Sequence, residues 1–281
     1  MIFRFCVTDD IWFMDIFWIF AYLLLGGVTG FCAGLFGIGG GGIMVPALAF
    51  MFARQDVAPD HLLHIALATS MAAIVPTSLA SARAHHQRRA VLWRVVVVIA
   101  PGVLLGTFAA TFLASGLSAA PLAIFFSVFM GGVALQMVLD RKPKPSRQLP
   151  GPVGISLVGT GIGGVSALVA IGGGSLTVPF LAWCNVRLQT AIGTSAAVGI
   201  PIALAGATGY IVNGWSVSGL PAYTLGFVYW PAVVAIAAAS FITAPLGSAL
   251  AHRLPVPALK KMFALLLALL AIQMLVSVSG S

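Results

Sequence analysis

Residues 38–46, IGGGGIMVP, return in the second half of the chain as residues 171–179, IGGGSLTVP. Each copy interrupts an apolar stretch and is followed by a second shared motif, ALATS at residues 66–70 and AIGTS at residues 191–195. A proline stands six residues after each of these serines, at Pro76 and Pro201. Because the motifs recur in the same order, the sequence predicts a protein built from two related halves.

The composition places both halves in a membrane. Of 281 residues, 60% are hydrophobic and 7% are charged, which is more apolar surface than a soluble globular domain needs. The apolar residues fall in blocks of about 20, enough for a helix to cross a hydrocarbon core of roughly 30 Å. The sequence therefore predicts an all-α polytopic membrane protein. Three aspartates, Asp9, Asp10 and Asp15, outnumber Arg4 before the first block, so we expect no cleaved signal peptide.

The apolar blocks also define the domain organisation. A basic, proline-rich linker at residues 141–152 separates a first repeat, residues 1–140, from a second repeat, residues 153–281. The predicted segments lie near 16–37, 42–53, 62–82, 91–114 and 119–139 in the first repeat, and near 153–171, 175–186, 188–212, 225–252 and 256–277 in the second.

Basic residues predict how the repeats are oriented, because positively charged loops stay in the cytoplasm. The loop after the third segment of the first repeat holds four arginines, whereas the equivalent loop of the second repeat, residues 213–224, is uncharged. The next pair of loops shows the reverse: residues 115–120 are uncharged, but Arg253, Lys260 and Lys261 follow the matching segment. This pattern predicts inverted-topology repeats in the bacterial inner membrane, with both termini periplasmic and the linker cytoplasmic.

An inverted repeat requires an odd number of crossings in each half. We therefore predict a broken-helix hairpin followed by three transmembrane helices, with the glycine runs at the hairpin turns. Short helices starting at Gly42 and Ser175 would direct unpaired N–H groups and positive dipole ends inward, where glycines let an anion approach the backbone. The predicted substrate-binding residues are Gly39, Gly40, Gly41, Gly42, Thr69, Ser70, Gly172, Gly173, Gly174, Ser175, Thr194 and Ser195.

With its doubled glycine motif ending in Val-Pro, and a Thr-Ser helix after each copy, the chain resembles the sulfite exporter TauE/SafE family of membrane transporters. The resemblance covers both halves. It implies transport, by export or uptake, of sulfite, sulfonates such as sulfoacetate, or related sulfur-containing anions. We expect export by alternating access, a small anionic substrate and a lipid bilayer as partners, and no nucleic-acid partner. Ser175 stands where the first repeat has Gly42, so the two half-sites need not be equivalent.

Several alternatives stay open from the sequence. The glycines could serve only helix packing, and the Thr-Ser hydroxyls could bond to their own helix backbone. An anion channel could use the same site, and a membrane thiol redox protein could use Cys32 and Cys184. Small-residue faces permit a homodimer.

The sequence contains no pattern that predicts a catalytic or metal-dependent function. We expect no enzymatic activity, no cofactor and no metal. The chain has no glutamate, which disfavours proton relay by a carboxylate within the membrane. His85 and His86 are predicted to lie in a solvated cytoplasmic loop, and His64 to anchor a helix end.

Overall fold

The computed structural model describes residues 9–55, 57–138 and 148–255, together with parts of 261–272. These residues form nine α-helices and one two-stranded hairpin. The first half contains α1 (Asp9–Phe36), α2 (Gly41–Arg54), α3 (Leu62–Gln87), α4 (Trp93–Ser115) and α5 (Ala119–Val138). The second half contains α6 (Pro152–Val169), α7 (Gly174–Trp183), α8 (Leu188–Gly214), β1 (Thr224–Leu225), β2 (Val228–Tyr229) and α9 (Trp230–Ala251).

Helix length separates the membrane-crossing elements from the short ones. Within the described part of the chain, six helices are long and apolar enough to cross a membrane, namely α1, α3, α4, α6, α8 and α9. This finding confirms an all-α polytopic membrane protein. In contrast, α2 has 14 residues and α7 has 10. At 1.5 Å per residue they span only about 21 Å and about 15 Å, less than the hydrocarbon core.

The central layer of the fold consists of α3 and α8. In an apolar 18-residue stretch of each helix, 78% of the residues are buried in α3 and 67% in α8. The corresponding share in the other four long helices is 33–44%. The two helices pack against each other, and α2 lies on α3 as α7 lies on α8. The two glycine turns are thereby held against the most buried part of the protein.

The outer helices pair across the halves. Helix α1 packs along α9, and α6 packs along α4. Gly26 of α1 meets the backbone of Ile236, and Gly159 of α6 meets that of Ile99. Both isoleucines stand six residues after the tryptophan that begins their helix. Small residues let these helix backbones approach closely, as is common in membranes.

A second reciprocal contact ties each central helix to the first helix of its own half. The Nε2 atom of His85 lies 2.9 Å from the carbonyl oxygen of Gly34, and the hydroxyl of Tyr210 donates to the carbonyl of Ala167 over 3.0 Å. Alignment of the two Thr-Ser motifs places His85 opposite Tyr210, and alignment of the two glycine motifs places Gly34 opposite Ala167. The two contacts are therefore equivalent in the two halves. Such reciprocal packing is what two related halves would produce. The inverted orientation of the repeats stays a prediction.

Some predicted boundaries differ from the structure. The segment predicted near 225–252 is helical only from Trp230, because the chain first forms a hairpin whose turn contains Gly226 at φ +54°. Pro231 then occupies the first turn of α9, a position that needs no N–H donor. The linker is described only from residue 148 and the last predicted segment only at scattered positions, so both lie largely outside the described residues.

The interpretation of residues 85–86 as a solvated loop is wrong for His85. Helix α3 continues to Gln87, beyond its predicted end at residue 82, and the His85 side chain is fully buried. Its contact with Gly34 and a second contact with His252 account for the extra turn, because they keep this polar ring satisfied inside the fold.

Candidate functional site

The two glycine turns meet in the interior of the protein. The backbone N–H of Gly172 donates to the carbonyl of Ile38 over 3.1 Å. A methyl group on Gly39 would lie 3.1 Å from the Cα atom of Gly172. Every residue from Gly37 to Ile43 and from Ala170 to Ser175 is buried. The structure therefore brings together the glycine residues that the sequence singled out in both repeats.

Both the backbone conformation and the close packing of these turns demand glycine. Gly39, Gly40 and Gly173 have φ values of +71°, +80° and +81°, in the region that L side chains rarely adopt. A methyl group on Gly41 would overlap the carbonyl oxygen of Ala170, and one on Gly174 would overlap the Cα atom of Ile38. A larger residue would force the two turns apart.

Each turn ends at a helix N-terminus that points into the protein interior. The N-cap residues are Gly40 for α2 and Gly173 for α7, and neither makes a side-chain cap hydrogen bond. The helices begin at Gly41 and Gly174, one residue earlier than predicted. The first N–H groups of a helix have no acceptor within the helix and carry the positive end of its dipole. An anion is the natural partner of such a pair of ends.

The threonines of the Thr-Ser motifs make matching contacts across the halves. The Thr69 hydroxyl accepts a hydrogen bond from the backbone N–H of Tyr229 over 3.0 Å. The Thr194 hydroxyl accepts one from the backbone N–H of Leu92, also over 3.0 Å. Tyr229 and Leu92 directly precede α9 and α4. Both threonines thus hold the start of a neighbouring long helix.

The serines of the same motifs differ from each other. The Ser195 hydroxyl donates to the carbonyl of Gly37 over 2.9 Å and so supports the first glycine turn. The Ser70 hydroxyl is fully buried and has no hydrogen-bond partner. Of the two serines in the Thr-Ser motifs, only Ser70 retains an uncommitted hydroxyl.

Further buried hydroxyls without a partner belong to Ser78, Ser175 and Thr177. Ser78 lies beside the turns, since its Oγ is 3.3 Å from the position of a methyl group on Gly39. Thr177 lies in the first turn of α7, and its Oγ1 is 3.3 Å from the position of a methyl group on Gly173. Sequence reasoning missed Ser78 and Thr177. Thr177 was already visible inside the repeated motif, where the first copy has Met44.

A narrow crevice opens at the start of α7. Its lining is mostly apolar and consists of Phe129, Val165, Ser166, Val169, Ile171, Gly173, Ser175 and Leu176. In this conformation the crevice has no room for a water molecule.

Formal charges stay away from the glycine turns. Among the residues whose side chains are described, no aspartate, arginine or lysine is buried. Arg54 and Arg187 are exposed, and the Arg54 guanidinium lies 5.1 Å from the ring centre of Phe50. Contact with an exposed aromatic ring is typical of a side chain at the membrane interface. The described positions contain no group of three His, Cys, Asp or Glu side chains that could hold a metal ion.

His64 is buried near one end of α3, and its two ring nitrogens differ. Its Nε2 lies 3.1 Å from the carbonyl oxygen of Ala114, and its ring stacks on Phe227 at 5.4 Å between ring centres. Its Nδ1 is buried without a partner. His64 lies in the first turn of α3, and its role as an anchor at this helix end stays a prediction.

The six long apolar helices define a multi-pass membrane protein, and the comparisons with known proteins identify its class as a membrane transporter. The family model described as sulfite exporter TauE/SafE matches residues 22–274. The chain belongs to this family.

Curated relatives carry transporter names as well. The chain is 39% identical over 253 residues to a "Probable membrane transporter protein" of Haemophilus influenzae, covering 90% of this chain and 96% of the relative. It is 27% identical over 233 residues to the probable membrane transporter protein MJ0441 of Methanocaldococcus jannaschii, with 80% of each chain covered. It is 22% identical to the probable membrane transporter protein YunE of Bacillus subtilis, covering 90% and 96%. No solved structure matches the chain.

Proposed function

We propose that this transporter carries small sulfur-containing oxyanions, such as sulfite or a sulfonate like sulfoacetate, across the bacterial inner membrane. The observation that carries the proposal is the meeting of the two glycine turns, which brings the N-termini of α2 and α7 into the buried centre. Among the residues whose side chains are described, no arginine or lysine is buried, so none of them could bind an anion in the centre. Backbone N–H groups, helix dipoles and hydroxyls are therefore the available donors.

The predicted ligands divide into three roles in this proposal. The backbone of Gly39, Gly40, Gly41, Gly42, Gly172, Gly173, Gly174 and Ser175 surrounds the anion, and Ser70 adds a hydroxyl donor. The N–H groups of Gly172 and Gly173 donate to the carbonyls of Ile38 and Ile171 and so hold the turns in place. Ser195 supports the first turn through Gly37. Thr69 and Thr194 hold the starts of α9 and α4 beside the site.

Transport proceeds by alternating access, with net export. Inverted repeats typically form carriers that expose one central site to each side of the membrane in turn. The reciprocal pairing of α1 with α9 and of α6 with α4 supports two repeats of opposite orientation that rock against each other. Both termini lie in the periplasm in this arrangement. Single cysteines placed at residue 117 and at residue 89 would test it, because only the former should react with a reagent that cannot cross the membrane.

The direct test is uptake by proteoliposomes that contain the purified protein. Sulfite, sulfate, thiosulfate and ethanesulfonate are supplied with and without a pH gradient. Saturable uptake that shows counterflow is expected, and Gly41→Leu or Gly174→Leu abolishes it. Gly132→Leu is the matched control, because Gly132 is exposed and nothing lies within 4 Å of its added methyl group. Uptake that neither saturates nor distinguishes the anions from chloride would contradict the carrier.

A further inference from the structure

Helix α9 joins the central helix α3 through polar side chains at one end of the protein. The Nδ1 atom of His85 lies 3.2 Å from the Nε2 atom of His252. Three residues further along the chain, the Arg88 guanidinium donates to the hydroxyl of Ser248 on α9 over 3.4 Å. The end of α1 meets the same place, since the carbonyl oxygen of Gly34 lies 2.9 Å from His85 Nε2. We call these contacts the α3–α9 junction.

The second half has an equivalent junction, between α8 and α4. Alignment of the Thr-Ser motifs places Asn213 opposite Arg88. Alignment of the tryptophans that begin α4 and α9 places Thr111 opposite Ser248. The Asn213 amide donates to the Thr111 hydroxyl over 3.2 Å, just as Arg88 donates to Ser248. We call this contact the α8–α4 junction.

The two junctions differ in how they respond to pH. Tyr210 stands on α8 where α3 has His85, and a phenol, the Asn213 amide and the Thr111 hydroxyl all stay neutral between about pH 5 and pH 8. The imidazoles of His85 and His252 belong to the one side-chain type that ordinarily titrates in this range. In the predicted inverted topology the two junctions face opposite sides of the membrane, and the α3–α9 junction faces the cytoplasm.

The hydrogen bonds of the histidine pair determine where an added proton binds. The carbonyl of Gly34 can only accept, so His85 carries its proton on Nε2, and its Nδ1 accepts the Nε2 proton of His252. The free lone pair of the neutral pair is on Nδ1 of His252, whose ring is partly exposed. A proton from water therefore binds to His252 Nδ1 and converts that ring to an imidazolium.

No negative side chain balances this charge at the junction. The helices packed around His85 are α1, α9 and α8, whose Gly193 could add a methyl group only 2.9 Å from His85 Cβ. The membrane-spanning part of α1 and the whole of α8 and α9 contain no charged side chain. On α3 the charged group facing both rings is the Arg88 guanidinium. Other basic side chains at this end are exposed, namely Arg83, Arg89 and Arg253.

Protonation therefore works against the contact between α3 and α9. Partial burial and the Arg88 guanidinium lower the pKa of His252, which shows that the packed arrangement disfavours its charged form. Two positive groups repel each other strongly where little water screens them. The imidazolium of His252 regains its hydration, and leaves Arg88, if the end of α9 moves away from His85 into water.

We propose that His85 and His252 form a proton-binding latch, which holds α9 against α3 while the pair is neutral and releases it when the pair takes up one proton. This latch rests on the proposed transport function, because the release of α9 makes one end of the carrier easier to open. Acid on that side of the membrane therefore speeds transport. The α8–α4 junction lacks this response.

The first test measures the initial rate of uptake by proteoliposomes with the same pH inside and outside. Ethanesulfonate and sulfate are the probes, because neither changes its charge between about pH 7.5 and pH 5.5. The wild-type rate should rise by about threefold or more as the pH falls over this range. His252→Gln keeps an N–H donor for His85 but cannot titrate, so its rate should change by less than about 1.5-fold. His86→Gln is the matched control and should keep the wild-type response, because His86 is exposed and bonds to Trp93 instead.

The second test detects release of the latch without measuring transport. In a background without native cysteines, Ser248→Cys places a thiol in the buried junction, and Gln87→Cys places one at an exposed position nearby. The rate of reaction of Ser248→Cys with a small maleimide, divided by that of Gln87→Cys at the same pH, should rise by about threefold or more from pH 7.5 to pH 5.5. Adding His252→Gln to both variants should remove this rise.

Either assay can overturn the latch. Uptake that is independent of pH in wild type, or that responds equally in His252→Gln, would exclude it. So would a normalised reaction rate of Ser248→Cys that does not rise in acid or rises equally with His252→Gln. If wild-type liposomes take up neither anion above protein-free liposomes at any pH, the transport function itself fails, while the maleimide assay still decides whether the junction opens.

Discussion

Thr69 Oγ1 accepts a 3.0 Å hydrogen bond from the backbone N–H of Tyr229, which lies 160 residues further along the chain. The same bond recurs between Thr194 and Leu92 at the same distance. In both pairs the donor is the residue before the tryptophan that begins a long helix. These two bonds fix where α9 and α4 start relative to the central helices.

Replacing either threonine by valine should lower the stability of the protein. Thr69→Val and Thr194→Val each leave a backbone N–H with no acceptor, which we expect to cost about 1–2 kcal/mol. Thermal unfolding in detergent measures the effect as a lower Tm. The variants Thr69→Ser and Thr194→Ser keep the acceptor oxygen and should lie closer to wild type, whereas a serine variant as unstable as the valine one would show that methyl packing, not the hydrogen bond, matters.

A methyl scan of glycines should separate the turns from glycines elsewhere. Gly41→Ala and Gly174→Ala insert a methyl group into backbone atoms of the opposite turn, so we expect transport to be lost and the Tm to fall. Gly131→Ala and Gly132→Ala in α5 meet nothing within 4 Å and should be neutral, or slightly stabilising because alanine is the better helix former. Transport that survives Gly41→Ala and Gly174→Ala together would contradict the closely packed centre.

The sequence predicts the backbone of the site better than its side chains. The glycine runs identify both turns and the starts of both short helices to within one residue, because consecutive glycines have few other uses inside an apolar segment. The end of α7 at Trp183 lies three residues before its predicted end. The partners of Thr69, Thr194 and Ser195 could not be predicted, since all three bonds join residues that only the tertiary fold brings together. His85 was misplaced for the same reason: its acceptor lies on α1.

Removing the thiols tests the redox alternative. Cys32 lies in α1 and Cys184 follows α7, and the structure contains no disulfide between them. A transporter does not need either thiol, so Cys32→Ser/Cys184→Ser should retain uptake of the anion at a rate close to wild type. If uptake is lost in the serine variant but present in Cys32→Ala/Cys184→Ala, the serine hydroxyls pack poorly. If uptake is lost in both variants, the thiols have a role in the function.

The contact between His85 and His252 should make stability depend on pH. The carbonyl of Gly34 can only accept, so His85 Nε2 carries the proton that it donates there. His85 Nδ1 is then an acceptor for the Nε2 proton of His252, 3.2 Å away. Protonation of the His252 ring leaves its Nε2–H donor in place. Partial burial and the nearby Arg88 guanidinium lower the pKa of His252. The folded protein therefore takes up a proton at His252 less readily than the unfolded chain does.

The sign of the pH effect follows from that lowered pKa. Stability is full above the unfolded pKa of about 6.5 and falls as the pH drops below it, because the unfolded chain takes up the proton first. We therefore expect the Tm to fall between about pH 7.5 and about pH 5.5. His252→Gln keeps an N–H donor for His85 but cannot titrate, so its Tm should change less over the same range. An equal fall in His252→Gln and wild type would exclude His252 as the source of the pH dependence.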